Sequence, residues 1–589
     1  MDIVLVLLIL LLAVVLFATE WLSMDLTSLL VLLALPLTGL LSVEEAFSGF
    51  SNPAVVTVAA MFVISDGITH TGAMGRAGEK LLRLAGNSEA RLVAVVMTSV
   101  AFFSAFINNI GSTAVLMPVV IGMARKINLS PSKLLIPLAF GSLLGGVCTL
   151  IGTPPNILMN ALLQQYSGES FSMFSFTPVG LIIAAAGIGY MAFLGRRLLP
   201  QRKSGKLTEE YQVKEYITEV AIVEKSPLSG MTISQSGLER DFNLKVRAIL
   251  RGRLKFPRPR GNRKLREGDT LLLEGNPEGI LKVMKTKGLE LIPERDNPPP
   301  GKPDQEMVVV EAALSPNCGL VGRTLSQVRF RESHGLNVLA IWRQGAPLVK
   351  QVDRVVLKFG DVLLLQGAKE RIVHLGKEHG FLLLGGVPQV RYRPRRAPFA
   401  LATLAMVVLL AASGIMPIML AASLGALSMV VSRCLTVQEA YESIDWSIIL
   451  LIAGTLPLGL ALEKSGAAVL LAEGVLGILG PSGPWVVLAA FFLLTSLLTE
   501  LMSHAAAAVL IAPIVFHAAL ELGVDPKPFF MAIAVSASSC FMTPIGHQSN
   551  ALVMGPGGYR FFDYTRVGAP LNILIWVIGS LLIPLVFPF

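Results

Sequence analysis

Charge is in short supply. Only 15% of the 589 residues are Asp, Glu, Lys or Arg, against 53% hydrophobic, and the mean hydropathy is +0.65. A soluble domain of this size could not bury that much apolar surface. Cysteine is scarcer still: Cys148, Cys318, Cys434 and Cys540 lie far apart, without the short spacings of a zinc site or a disulfide framework. Several chemical signatures are also missing. Glu500 and His504 stand four apart but lack the HExxH pattern and a third ligand of a metalloprotease. The glycine-rich GPGGYR at 555–560 has no strand and no lysine to make it a phosphate loop, and no dinucleotide fingerprint appears. A TVGYG filter is absent as well, which argues against a selective cation pore.

What the chain has instead is apolar length. Ile3 to Phe17, Leu30 to Leu41, Leu181 to Leu194, Phe399 to Ala412 and Leu571 to Phe587 approach or reach bilayer thickness with few charges. The first run has no small-residue cleavage site behind it and reads as a retained helix. The fold class is therefore an α-helical polytopic membrane protein. Its charge is concentrated: residues 201–400 hold 35 of the 49 Lys and Arg and 22 of the 40 Asp and Glu, a net +13, leaving −4 for the remainder. Basic stretches GRRLLPQRKSGK and RYRPRRAP flank this segment beside apolar runs. By the positive-inside rule they put residues 200–396 in the cytoplasm of a multi-pass inner (plasma) membrane protein. Such juxtamembrane charge contacts lipid and sets topology, so no nucleic-acid partner is inferred.

The two apolar parts repeat each other. VEEAF at 43–47 returns as VQEAY at 437–441, an offset of 394. SAFINNIGSTAVLMP at 104–118 aligns with TELMSHAAAAVLIAP at 499–513, an offset of 395, with Asn109 opposite His504. LIGTPPNILM at 150–159 matches PIGHQSNALV at 544–553, with Gly152 opposite Gly546 and Asn156 opposite Asn550, again at 394. The charged insert is doubled too: in each copy an arginine ending a strand-like run precedes a Gly-Asp by 18 positions, Arg251 to Asp269 and Arg343 to Asp361. Alternating LKVRAIL, DTLLLEG, NVLAIW and DVLLLQG read as strands, with short helices at TLSQVRFRE and PEGILKVM. Four domains follow: membrane halves at 1–200 and 397–589, and two small α+β domains at 210–294 and 306–386, separated by the linker ERDNPPPGKPDQE.

NNIGST and GTPPN are poor helix interior, because glycine loosens the backbone and paired prolines remove donors. Non-helical backbone at membrane depth is tolerated only where protein covers it or it lines a wet cavity. Each half should therefore carry an unwound span and a re-entrant hairpin. Paired interruptions of this kind point to a midplane binding site, with carbonyl, Asn and Ser oxygens for a hard cation and helix N-termini for an anion.

These blocks, together with GFSNPAV, CTLIGTPPN and the MTPIGHQSNALVMGPGGYRFFDYTRVGAPLN tail, resemble the divalent-anion/sodium symporter family, in the branch that carries two TrkA C-terminal (RCK-C) domains between its halves. The resemblance covers nearly the whole chain. It implies inverted repeats, a homodimer, elevator-type alternating access, sodium as the coupling ion with no other metal or cofactor, and a small inorganic or organic divalent anion as cargo. The family's Ser-Asn-Thr motifs map here onto a first sodium site of Ser104, Asn108, Asn109 and Gly152. An altered second cation site maps onto Thr499, Ser503, His504 and Gly546. Asn108, Asn109, Thr153, Ser503, His504 and His547 would face the substrate. Ile110 and Ala505 stand where the family has threonine, which favours sulfate over a dicarboxylate. An imidazole at 504 is a poorer sodium ligand than an amide oxygen but carries a proton near neutral pH.

Blander readings stand beside these. Glu500 serves either as a counter-ion or as a hydrogen-bond partner to a neighbouring helix. Arg251 and Arg343 either meet a regulatory nucleotide or pair with Asp269 and Asp361 inside each small domain. The alternative functions are an RCK-regulated ion channel and a transporter-derived membrane sensor; none of the readings is enzymatic.

Overall fold

The computed structural model describes the chain except for residues 1, 20, 83–87, 128, 202–215, 224–225, 243, 252–253, 258, 276–282, 284–288, 292–306, 315–317, 344–345, 349–351, 359–360, 376–380 and 386–392. It divides into two compact units, one of residues Met1–Gln201 with Arg391–Phe589 and one of Arg202–Val390. The Pro-rich linker predicted at 294–306 lies outside the described residues.

The first unit is helical, and the chain is a polytopic membrane protein. Among the described residues six helical stretches are long and apolar enough to cross a bilayer: Val43–Thr71, Thr177–Leu198, Pro394–Ala412, Trp446–Ser465, His504–Glu521 and Phe561–Val586. Both halves use the same punctuation. Ser42 caps Val43–Phe47 through a reciprocal box with Glu45, and Thr436 caps Val437–Glu442 through the same box with Glu439. Pro53–Thr71 and Trp446–Ser465 end at Gly72 and Gly466, both in the left-handed region that glycine enters without penalty. The helices break at 105–108, between Glu89–Ser104 and Asn109–Lys126, and at 500–503, between Pro484–Thr499 and His504–Glu521, while NNIGST, expected to be unwound, is helical from Asn109 on because the break falls just before it. The loop after Leu135–Gly146 leads into Pro154–Ser167, and the loop after Lys527–Ala537 leads into Gln548–Gly557. Pro154 and Pro155 open their helix, where a missing N–H costs nothing.

These helix–loop–helix elements cross between the halves. Pro154–Ser167 packs on His504–Glu521 and Lys527–Ala537, while Gln548–Gly557 packs on Asn109–Lys126 and Leu135–Gly146. Phe140 meets Phe541 edge-on at 5.0 Å between ring centroids. The Tyr559 hydroxyl donates to Ser132 O at 2.6 Å and accepts from Ile136 N, so the second half also stitches the start of the first half's Leu135–Gly146.

The second unit holds two five-stranded antiparallel sheets of the same topology. One has the order β3-β2-β4-β1-β5, with β1 Tyr216–Ile222, β2 Lys245–Arg251, β3 Leu254–Pro257, β4 Thr270–Gly275 and β5 Leu289–Leu291. The other has β10-β6-β9-β7-β8, with β6 Met307–Leu314, β7 Asn337–Arg343, β8 Ala346–Pro347, β9 Val362–Ala368 and β10 Phe381–Gly385. Even the bulges agree, between Val246 and Ala248 in one and between Val338 and Ala340 in the other. Leu339, Ala340 and Leu364 of the second sheet join the buried core of the first. The helix predicted over TLSQVRFRE forms only at Phe330–His334. Upstream, Thr324 pairs with Val356 as a β-bridge and exchanges side-chain hydrogen bonds with Gln327, giving the backbone an alternative to helix. The helix predicted at PEGILKVM lies outside the described residues except for Val283.

Candidate functional site

In the first half, Ser104 ends one helix and Asn109 begins the next, so the break at 105–108 brings both side chains to one place. Ser104 Oγ donates to Asn109 Oδ1 at 2.6 Å, and both residues are buried. Asn108 caps the second helix: its Oδ1 accepts from Ile110 N at 3.0 Å, and its own N–H donates to Ser65 Oγ at 3.2 Å. The Asn109 amide lies against Gly146, where an added Cβ would stand 2.8 Å from Oδ1 and would collide with the Thr153 methyl. A side chain at Gly152 would run into the Gly146 carbonyl. Both glycines are thus required by close approach.

The loop that follows is held by Asn156, whose Nδ2 donates to Thr149 O at 2.8 Å and Gly146 O at 3.3 Å. The second half repeats this at a constant offset of 394: Asn550 Nδ2 donates to Thr543 O at 3.1 Å and Cys540 O at 2.9 Å. Thr149 reaches back to Ala105 O, and Thr543 reaches back to Glu500 O. Thr177 donates to Cys148 O while Gly180 backs onto Val147 O, just as Thr565 donates to Met542 O while Gly568 backs onto Phe541 O. A neutral hydrogen bond nets about 1 kcal/mol, while a buried carbonyl left without its donor costs about 1–3 kcal/mol. The clamps therefore fix the shape of both loops. Asn156 and Asn550 recur in the aligned blocks, yet sequence reasoning assigned them no role; their equal spacing to the carbonyls they hold was the signal.

Side chains in the two loops differ. Where the first half has the Ser104–Asn109 contact, Thr499 in the second donates to Ser496 O of its own helix. Ser503 precedes His504–Glu521 and makes no capping bond. The rings of His504 and His547 lie 5.1 Å apart at 31°. His547 is buried, and its Nδ1 accepts from Ser549 N at 3.0 Å. That bond puts the proton of the neutral ring on Nε2. Thr153 Oγ1 lies 2.9 Å from Ser538 Oγ, which joins the first loop to the second half; this contact links positions that are not equivalent, so no repeat alignment could find it.

Glu500 Oε1 accepts from Met542 N at 2.8 Å and Asn572 Nδ2 at 3.1 Å, the neighbouring-helix partnership that sequence allowed. Among the described residues no cluster of three His, Cys, Asp or Glu could hold a transition metal. The oxygens available around Asn109 are amide, hydroxyl and carbonyl groups, the donor set of a hard cation.

Arg251 and Arg343 belong to the second unit. Each forms a bidentate pair, Nε and Nη2 at 2.6 Å from the two oxygens of Asp269 or Asp361, and each donates from Nη2 to a neighbouring carbonyl. Both aspartates are fully buried. The hydrogen bond to the carboxylate holds each guanidinium above its usual pKa. Each pairing lies within its own small domain.

Comparison with known proteins bears on the whole chain. It is 39% identical to an uncharacterized transporter of Synechocystis over 98% of this chain and 95% of that one. It is 30% identical to a putative sulfur deprivation response regulator of Chlamydomonas reinhardtii over 91% and 93%, and 23% identical to sodium/sulfate cotransporter 2 of the same alga over 97% and 88%. Among solved structures, the GsuK RCK domain matches with a TM-score of 0.13 at 13% identity over 28% of this chain and 63% of that one, too slight a likeness to define the insert. The family model described as citrate transporter matches residues 14–525, and the chain belongs to that family: it is a multi-pass membrane transporter of the plasma membrane, not an enzyme.

Proposed function

We propose that the protein is a sodium-coupled symporter of a small divalent anion, sulfate ahead of dicarboxylates. The observation that carries the reading is the pair of asparagine-clamped loops, one presenting Ser104, Asn109 and Thr153 and the other His504 and His547, joined through Thr153 and Ser538. Ser104, Asn108, Asn109 and the Gly152 loop form the first sodium site. Thr499, Ser503, His504 and the Gly546 loop form the second. Asn108, Asn109, Thr153, Ser503, His504 and His547 face the anion. A tetrahedral oxyanion needs converging N–H and O–H donors, and His547 Nε2 with the N–H groups opening His504–Glu521 supplies them. Ile110 and Ala505 add no hydroxyl for the longer reach of a dicarboxylate. The algal relatives named sodium/sulfate cotransporters support both ion and cargo.

Transport proceeds by an elevator movement of inverted repeats within a homodimer, and the two inserted domains, at 210–294 and 306–386, are TrkA-C modules that adjust it from the cytoplasm. Arg251 and Arg343 are the candidate contacts for a regulatory nucleotide there. The test is counterflow of radiolabelled sulfate in proteoliposomes with sodium or choline outside. A sodium gradient should concentrate sulfate, and excess unlabelled sulfate should exchange with it; uptake identical in choline overturns the coupling, and a leak without exchange overturns the carrier. His504→Asn and His547→Thr restore first-half residues, and each should flatten the dependence of uptake on pH. Profiles that superimpose on the wild type would remove the histidines from the site.

A further inference from the structure

A cavity of about 800 Å³ lies between Glu89–Ser104 and Thr177–Leu198. Its lining is almost wholly apolar, and three of the side chains that form it, Phe102, Leu181 and Phe193, are 63%, 57% and 71% exposed. A rim that is both exposed and apolar opens on hydrocarbon, not on a path for an ion. The lining hydroxyls of Thr149 and Thr177 donate to Ala105 O and Cys148 O, the bonds that clamp the first loop. Neither proton is left for a water or a polar solute. The repeat shows what such a space needs. At the offset of 388 that relates Thr177 to Thr565, Ala184 and Ile188 correspond to Asn572 and Trp576. In the second half the Trp576 indole reaches across and donates to Ala489 O at 2.8 Å. The first half has no side chain of that reach, so its filler comes from outside the chain.

One end of the cavity is basic. Arg91 lines it, and Arg196 follows the lining residue Ala192 by four positions. The two helices are tied together there, because Lys133 Nζ donates to Arg196 O at 2.9 Å and stands 3.7 Å from Glu89 Oε1. That lysine takes up the local acid. Among the described residues neither Arg91 nor Arg196 has an ion pair, and Arg196 Nε is buried without a hydrogen-bond partner. From Arg91 to Ala105, at the other end of the lining, the chain climbs about 21 Å at a helical rise of about 1.5 Å per residue. The hydrocarbon of one leaflet is about 15 Å deep. An acyl chain headed at Arg91 therefore reaches the back of the first loop.

We infer that this groove seats one anionic phospholipid of the leaflet bearing GRRLLPQRKSGK, with its phosphate at Arg91 and Arg196 and one acyl chain running to Ala105 and Cys148. Basic pockets between membrane helices on the cytoplasmic side favour anionic headgroups. The acyl chain does for the first half what Trp576 does for the second: it backs the hydrogen bonds from Thr149 and Thr177. The inference is independent of the cargo and of the coupling ion.

Native mass spectrometry of the purified full-length protein, titrated in detergent with phosphatidylglycerol or phosphatidylethanolamine of matched chains, reads both stoichiometry and preference. One phosphatidylglycerol per chain should survive release from detergent, held about tenfold more tightly than phosphatidylethanolamine. Arg91→Gln combined with Arg196→Gln should bring that ratio to about one. Ile188→Trp, which copies the second half, should abolish the tight lipid and leave the looser surrounding lipid in place. Added phosphatidylglycerol should raise the melting temperature of the wild type by about 4 °C and leave that of Ile188→Trp unchanged. Equal retention of the two lipids by the wild type, a preference that survives loss of both arginines, or tight lipid on folded Ile188→Trp overturns the assignment. So does a fatty acid, in place of a phospholipid, as the retained mass. The arginine variant tests the headgroup even where the tryptophan is not accommodated.

Discussion

The two membrane halves share a backbone and differ in what fills it. Between Glu89–Ser104 and Thr177–Tyr190 lies an apolar cavity of about 800 Å³, lined by Ala94, Ala101, Ala105, Ala184 and Ile188 among others. At the offset of 395, the first three correspond to Ala489, Ser496 and Glu500; at the offset of 388 that relates Thr177 to Thr565, the last two correspond to Asn572 and Trp576. In the second half those residues close the space. Trp576 Nε1 donates to Ala489 O at 2.8 Å, Asn572 Nδ2 to Glu500 Oε1, and Gly579 lies against the Phe492 ring. The hydrogen bonds that shape the two loops are duplicated, while the helix behind the break is backed by open space in one half and by a polar plug in the other. Main-chain clamping is therefore the invariant of this architecture, and packing around it is free to diverge.

The sharpest way to break this comparison uses the loop glycines. A methyl at 152 runs into the Gly146 carbonyl, while one at 546 meets its nearest neighbours at 3.0 Å. Gly152→Ala should abolish folding, and Gly546→Ala should fold normally; fluorescence-detected gel filtration separates the outcomes. Equal tolerance at both positions would mean that the first loop is looser than its packing implies. Next come the clamps. Asn156→Ala and Asn550→Ala each remove two hydrogen bonds to loop carbonyls, so each should lower apparent stability by roughly 1–3 kcal/mol, read as a fall in melting temperature. The two losses should agree within about 1 kcal/mol. A large effect at one asparagine alone would show that the loops are not equivalent.

Much of this was legible in the sequence, for reasons that differ by residue. The blocks around Asn109 and His504, and around Asn156 and Asn550, could be aligned because backbone demands kept the text similar: a glycine that must not carry a side chain, an amide that must reach two carbonyls. Thr177 and Thr565 escaped notice because a connection six residues shorter in the second half shifts their offset from 394 to 388. The Thr153–Ser538 contact joins non-equivalent positions and leaves no periodic trace. Glu500 was visible as an oddity, but only coordinates give its carboxylate the partners Met542 and Asn572. In the insert, alternation marked the strands, whereas the helix expected over 324–332 lost most of its length to side-chain bonds from Thr324 and Gln327 that propensity does not register.

The smallest expected effect concerns the capping boxes, whose glutamates have different partners. Glu45 pairs with Lys464 at a half-exposed site, while Glu439 accepts both Nη1 and Nη2 of Arg393 at 2.8 and 2.9 Å and is more sheltered. Burial alone would raise the Glu439 pKa, but the Arg393 guanidinium and the Thr436 N–H outweigh it and bring the carboxyl down to about 2. A depressed carboxylate stabilises the folded state above its unfolded pKa and ceases to do so as pH falls through the folded value. Glu439→Gln should therefore lower the melting temperature at pH 7 by an amount equivalent to about 1–2 kcal/mol, discounted for partial exposure. The gap to the wild type should narrow as pH drops below about 4 toward 2. Glu45→Gln, whose partner is solvated, should leave the melting temperature nearly unchanged at every pH. Thermal melts of the three proteins across that range decide it: a Glu439→Gln deficit that persists undiminished in acid would assign the stabilisation to the box geometry alone and remove the charge of Arg393 from the account.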